Sequence, residues 1–146
     1  MLVKMAYNMH KNGFVYHAII CTDTKGRVIF SETRELNPDT REGKYWEHLR
    51  LLKRVLHVLE NIVDVPATEH VTIALNSTVL CNWIETGARK PYKFAVEEIL
   101  NLLQSSKFED IELVAIKKTI NNPAVRLASP DCIKTENLQS VVAMFT

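Results

Sequence analysis

The densest group of side chains able to grip a ligand lies in one short segment, Arg89-Lys90-Pro91-Tyr92-Lys93, with Trp83 a few residues before it. Cations set around an aromatic ring suit phosphate contact, which needs only Lys and Arg on a common face. The same residues also suit a solvated polar loop ahead of a helix. A second basic strip, Arg50, Lys53, Arg54 and His57, has helical spacing and reads as the solvent face of an amphipathic helix. Lys117-Lys118-Thr119 is too short a run to carry a function. Other chemistries find less support. The histidines, His10, His17, His48, His57 and His70, show no metal spacing such as HExxH. Cys21, Cys81 and Cys132 lie far apart with no CxxC pair. Ser77 and Cys81 lack any base partner at the level of sequence, which argues against covalent catalysis.

These residues must be positioned by a single domain, because 146 residues are too few for two comfortable ones. Hydrophobic residues at 47% and charged residues at 24% are ordinary for a globular chain and exclude disorder as its main state. A formal net charge of +1 excludes a strongly basic coat or an acidic tail but leaves room for a local patch. The odd number of cysteines and the absence of a leader-like apolar run at the N-terminus fit free thiols in a reducing, intracellular compartment, cytoplasmic in the simplest case. No segment approaches the roughly 20 apolar residues needed to span a bilayer.

The pattern along the chain gives the elements. Leu2–Met9, Phe14–Thr22 and Val28–Leu36 read as three antiparallel strands, joined by turns at Lys11-Asn12-Gly13 and Asp23-Thr24-Lys25-Gly26. After Asn37-Pro38-Asp39-Thr40, a helix begins near Lys44. Its apolar residues Tyr45, Leu49, Leu52, Leu56, Leu59 and Val63 step by fours and threes, and Leu51, Val55, Val58 and Ile62 widen the stripe. His70–Leu75 is a short strand, Thr78–Glu85 a short helix stopped near Gly87, Tyr92–Leu103 a helix after Pro91, and Ile111–Ile116 a fifth strand. Beyond the Asn121-Asn122-Pro123 break, Glu136–Phe145 reads as a weak helix. The order β-β-β-α-β-α-α-β-(α) implies an α/β fold with a mixed five-stranded sheet, antiparallel at first and parallel later, flanked by helices.

That order resembles the ribonuclease H-like family, and short motifs support the likeness over most of residues 1–128. Glu47-His48-Leu49 is similar to the family's E-L pair on the first helix. Leu75-Asn76-Ser77 resembles its T-D-S, and Trp83-Ile84 with Arg89-Lys90-Pro91-Tyr92-Lys93 resembles its W-I and K-K-P-V-K. The resemblance implies a domain over residues 1–130, with 131–146 as a tail forming a short helix on the same domain. It also implies cleavage of RNA in an RNA–DNA hybrid by two Mg²⁺ ions roughly 4 Å apart, held by four carboxylates.

Carried across residue by residue, that ligand set is mostly missing. Asn8 follows Tyr7 where the family has T-D, Glu47 is retained, and Asn76 replaces the next aspartate. In Asn122–Ser129, Val125 or Arg126 stands near the expected fourth acid, and the nearest carboxylate is Asp131. Glu47 would then be vestigial, and Glu47 with Asn76 would be the metal ligands if any remain. The asparagines read either as decay of a site or as deliberate Asp-to-Asn replacements; the missing fourth acid favours decay. Glu47 also fits an ordinary acid in a helix's first turn, favourable to the helix dipole.

The resulting expectation is a domain that binds nucleic acid, hybrid or duplex, through Arg89, Lys90, Lys93, Tyr92 and Trp83, without cleaving it and without a cofactor. Two alternatives stand beside it. One is an active Mg²⁺- or Mn²⁺-dependent hybrid ribonuclease with a modified site around Glu47. The other is a protein-interaction scaffold or inhibitor on the same fold.

Overall fold

The computed structural model of this chain describes residues 1–9, 13–36, 43–116 and 123–128. Strands β1 (Leu2–Met9), β2 (Val15–Thr22) and β3 (Val28–Leu36) precede helix α1 (Lys44–Asn61). Then come β4 (His70–Leu75), α2 (Thr78–Thr86), α3 (Lys93–Gln104), β5 (Asp110–Ala115) and a single turn, α4 (Ala124–Leu127). The sheet order is β3-β2-β1-β4-β5. β1 pairs antiparallel with β2 and β2 with β3, whereas β1–β4 and β4–β5 are parallel. The mixed sheet expected from the element order is therefore present. α4 has no counterpart among the expected helices, because a four-residue turn carries no periodic signal. The Asn37–Thr40 break, Lys117-Lys118-Thr119, Asn122, the 130/131 boundary, Asp131, Cys132 and the tail helix all lie outside the described residues.

Two apolar layers hold this sheet, and strand periodicity assigns each residue to one of them. On one face Val3 and Met5 of β1, Ile19 and Cys21 of β2, and Val71, Ile73 and Leu75 of β4 meet the stripe of α1, with Val96 and Ile99 of α3 joining them. On the other face Ala6, Tyr16, Ala18 and Ile20 pack against Ala124 and Ala128 around α4. Every β2 residue from Val15 to Cys21 is buried, because this strand is covered on both faces. That is why it reads as an almost unbroken apolar run. The α1 stripe of Leu51, Leu52, Val55 and Val58 is fully buried, and Glu47 lies one turn before Leu51 on the same side.

At the β5 edge the parallel pairing is reinforced by side chains. His70 Nδ1 lies 2.5 Å from Asp110 and its Nε2 3.2 Å from Glu112, and Thr72 Oγ1 donates to Glu112. The two carboxylates raise the pKa of this exposed imidazole, Asp110 most strongly. No helix among the described residues is long and apolar enough to cross a membrane.

Candidate functional site at the sheet end

Glu47 sits at the centre of a polar cluster where β1, β2 and the start of α1 meet. α1 begins after Gly43, whose φ of 104° is a conformation that favours glycine, and Glu47 lies in its first turn. Its side chain is 3% exposed, and an isolated carboxylate that deep would be costly. Two donors compensate. His17 Nε2 is 3.1 Å from one carboxylate oxygen, and Arg50 Nη1 donates to the other at 3.0 Å. His17 reaches Glu47 because strand alternation places it with Ile19 and Cys21 on the α1 face of β2.

The electrostatics around this pair follow from burial and from three neighbouring cationic or ionisable groups. Burial first, then His48, Arg34 and Arg50, push the His17 pKa down to about 4. The imidazole is neutral at pH 7, so its Nε2–H donates and the carboxylate accepts. Tyr7 stands over the same group, its ring 6.3 Å from that of His17 and 5.2 Å from that of His48. Burial, with the Glu47 charge second, raises the Tyr7 hydroxyl pKa.

The two asparagines are used differently. Tyr7, not Asn8, occupies the face of β1 that packs beneath α1. Asn8 Nδ2 donates to the Ala128 carbonyl at 3.3 Å, tying β1 to the end of α4, and Thr33 Oγ1 does the same for β3 through Leu127 at 2.9 Å. Asn76 Nδ2 donates to the Ile116 carbonyl at 2.9 Å, joining the segments that leave β4 and β5. An amide can make both bonds, whereas a carboxylate only accepts. Asn76→Asp is accordingly expected to destabilise the fold by about 1–2 kcal/mol at pH 7, where two acceptors would face each other. Chemical denaturation checks this, and an unchanged midpoint would remove the amide's structural role.

These donors do not fit a pair of divalent ions. Hard, small Mg²⁺ needs several oxygen ligands with compensating charge. The positions expected to supply them hold, among the described residues, one carboxylate engaged by His17 and Arg50, two amides that donate to backbone carbonyls, and Val125 and Arg126 on α4. Among the described residues no group of three or more His, Cys, Asp or Glu side chains converges as metal ligands would. The two candidate nucleophiles among the described residues are no better supplied. Ser77 Oγ caps α2 by accepting from the Leu80 N–H, and burial with the nearby Glu85 raises the Cys81 thiol pKa. Cys81 lines a cavity of about 420 Å³ with Ile84, Leu103 and Leu113, apart from Glu47 and from the basic segment.

The basic segment belongs to a different construction. Trp83 of α2 and Tyr92, which precedes α3, stack with ring centroids 4.7 Å apart and planes 26° from parallel. Tyr45 and Trp46 of α1 complete the group, with Tyr45 5.3 Å from Trp83 and Trp46 5.0 Å from Tyr92. All four are half-buried against the main core. Sequence alone assigns Tyr45 to the apolar stripe and offers no sign that Trp46 joins it. Arg89, Lys90 and Lys93 are exposed along the segment that this stack anchors. The second basic strip lies where its helical spacing puts it, and three of its cations also find carboxylates. Arg50 pairs with Glu47, Arg54 with Glu32 of β3 at 2.6 Å, and Lys53 with Glu98 of α3 at 2.5 Å. Arg50, Lys53 and His57 are nonetheless exposed, so the strip is the solvent face of α1 that its spacing indicates, with three of its cations paired.

Comparison with solved structures agrees with this architecture. The chain superposes on the LC11 ribonuclease H1 isolated from compost with a TM-score of 0.74 and 16% identity, covering 92% of this chain and 95% of that one. The same enzyme in complex with an RNA/DNA hybrid gives 0.60 and 17%, covering 92% and 96%. Ribonuclease H1 from the halophilic archaeon Halobacterium salinarum gives 0.66 and 11%, covering 92% and 97%. No family model and no curated protein matches the sequence. At these identities the likeness shows the fold, and the fold is ribonuclease H-like.

Proposed function

We propose that this chain binds nucleic acid, an RNA–DNA hybrid or duplex, on a ribonuclease H-like fold and does not cleave it. The observation that carries the reading is the contrast between two sets of cations. Arg50, Lys53 and Arg54 are each held by a carboxylate, whereas Arg89, Lys90 and Lys93 are exposed and meet no carboxylate within ion-pair distance among the described residues. Exposed cations on an anchored segment displace the counterions condensed on a nucleic acid when they contact its phosphates. The stack of Trp83 on Tyr92 holds that segment in place. A similar fold in complex with an RNA/DNA hybrid supports the choice of partner. The missing carboxylates support binding without hydrolysis, because phosphodiester cleavage by two metals requires a charge-matched ligand set.

Binding of a labelled hybrid measured across a salt series tests the proposal. Three phosphate contacts give a slope of log K against log salt near −2.7, at about 0.9 for each phosphate neutralised. Arg89→Ala, Lys90→Ala and Lys93→Ala together should abolish most of that slope and weaken binding more than about tenfold, each cation removed taking roughly one unit of slope with it. Unchanged affinity would remove this patch and favour a protein-interaction scaffold. Mg²⁺- or Mn²⁺-dependent cleavage by the intact chain, abolished in Glu47→Ala, would instead make it a ribonuclease.

A further inference from the structure

We propose that the chain carries its own counter-cation at the sheet end, with Arg50, seconded by His17, occupying on Glu47 the positions that a divalent ion would need. The inference rests on the reading of this fold as one that binds without cleaving, but its test uses no nucleic acid.

The argument is one of lone pairs and charge. A bound Mg²⁺ would take carboxylate oxygens at roughly 2.0–2.1 Å. Here one oxygen of Glu47 accepts from Arg50 at 3.0 Å and the other meets His17 at 3.1 Å, so protein donors take one of the two lone pairs on each oxygen and Arg50 supplies the compensating charge. The positive charge comes with the chain: the Arg50 guanidinium is about two-fifths exposed, anchored on a carboxylate that is 3% exposed. Arg34 and Arg50 both oppose a further positive charge at His17, the neighbour of Glu47. Tyr7 closes the cluster from β1. Restoring acids at Asn8 and Asn76 would therefore not recreate a metal site while Arg50 remains.

Titration of the full-length chain with Mn²⁺, followed by water-proton relaxation, tests this. Wild type should show no saturable binding up to about 10 mM, beyond the weakest range of carboxylate sites near 10⁻³ M. Arg50→Ala should gain binding near about 10⁻³ M, and adding Glu47→Gln should remove it. Arg50→Lys keeps a cation and should behave as wild type. Circular dichroism establishes that each variant is folded, and Arg50→Gln serves as the milder change if the alanine variant unfolds. Saturable Mn²⁺ binding by wild type that Glu47→Gln abolishes would overturn the proposal. So would a folded Arg50→Ala or Arg50→Gln chain that still binds no Mn²⁺. Failure of the hybrid-binding reading would leave both results standing on their own.

Discussion

Glu47→Ala is expected to lower the stability of this chain by about 3 kcal/mol, because removing the acceptor leaves the buried His17 donor unsatisfied and opens a cavity. The direction distinguishes two views of the residue. A leftover ligand with nothing to bind would be neutral or a liability, and its removal would leave stability unchanged or raise it. A carboxylate that is 3% exposed and engaged by both His17 and Arg50 is instead a structural acceptor. Its removal strands the His17 Nε2–H in a site where that imidazole has 7% side-chain exposure. It also leaves a void one turn before Leu51 on the buried face of α1. Arg50, about two-fifths exposed, can turn to water and adds little to the loss. For a chain of this size the loss corresponds to a fall in Tm of roughly 10 °C. Glu47→Gln keeps the volume and one acceptor and should cost less. A melting temperature unmoved by Glu47→Ala would sink the structural reading of the cluster.

The legibility of these features in the sequence divides along a physical line. Periodic elements can be read because burial imposes a period on local sequence. The α1 stripe, the alternating and continuous strands, and the Asn76-Ser77 boundary before α2 all fall where the pattern puts them. Glu47 stands out by its neighbours in sequence, and the structure does bring it to the end of the sheet. Pairing across the fold is what cannot be read. His17 and Glu47 stand 30 positions apart, and no spacing rule links a strand residue to a helix residue. Arg50 reads as a solvent-face cation and is exposed, while its three-residue spacing from Glu47 on the same helix is a local signal for the pair. Asn8 draws notice by its likeness to a motif, yet strand alternation sets Tyr7 beneath α1, and Asn8 bonds to α4. The signal that reaches across the fold is His17 itself, a polar side chain within an otherwise apolar strand. Such a residue must bring or find a partner when buried.

His17 also makes stability fall with acidity in a defined window. Its folded-state pKa of about 4 lies below the ordinary 6.5, so the unfolded chain binds the proton first. Between those values folding must expel a proton, and stability drops by about 1.4 kcal/mol for each pH unit below 6.5. The loss should reach about 2 kcal/mol by pH 5 and about 3 kcal/mol near pH 4, below which this group adds nothing more. Above 6.5 the imidazole is neutral in both states and contributes no slope. Denaturation midpoints measured from about pH 7 to pH 5 for wild type and His17→Gln isolate the effect, since Gln retains a donor for Glu47 but does not titrate. The groups facing His17 set the sign. Burial, His48, Arg34 and Arg50 oppose protonation, whereas Glu47 alone among the named neighbours favours it. If stability rises as pH falls toward 5 in wild type and not in the variant, the ion pair with Glu47 outweighs burial. His17 would then be a second cation on the carboxylate rather than a neutral donor to it.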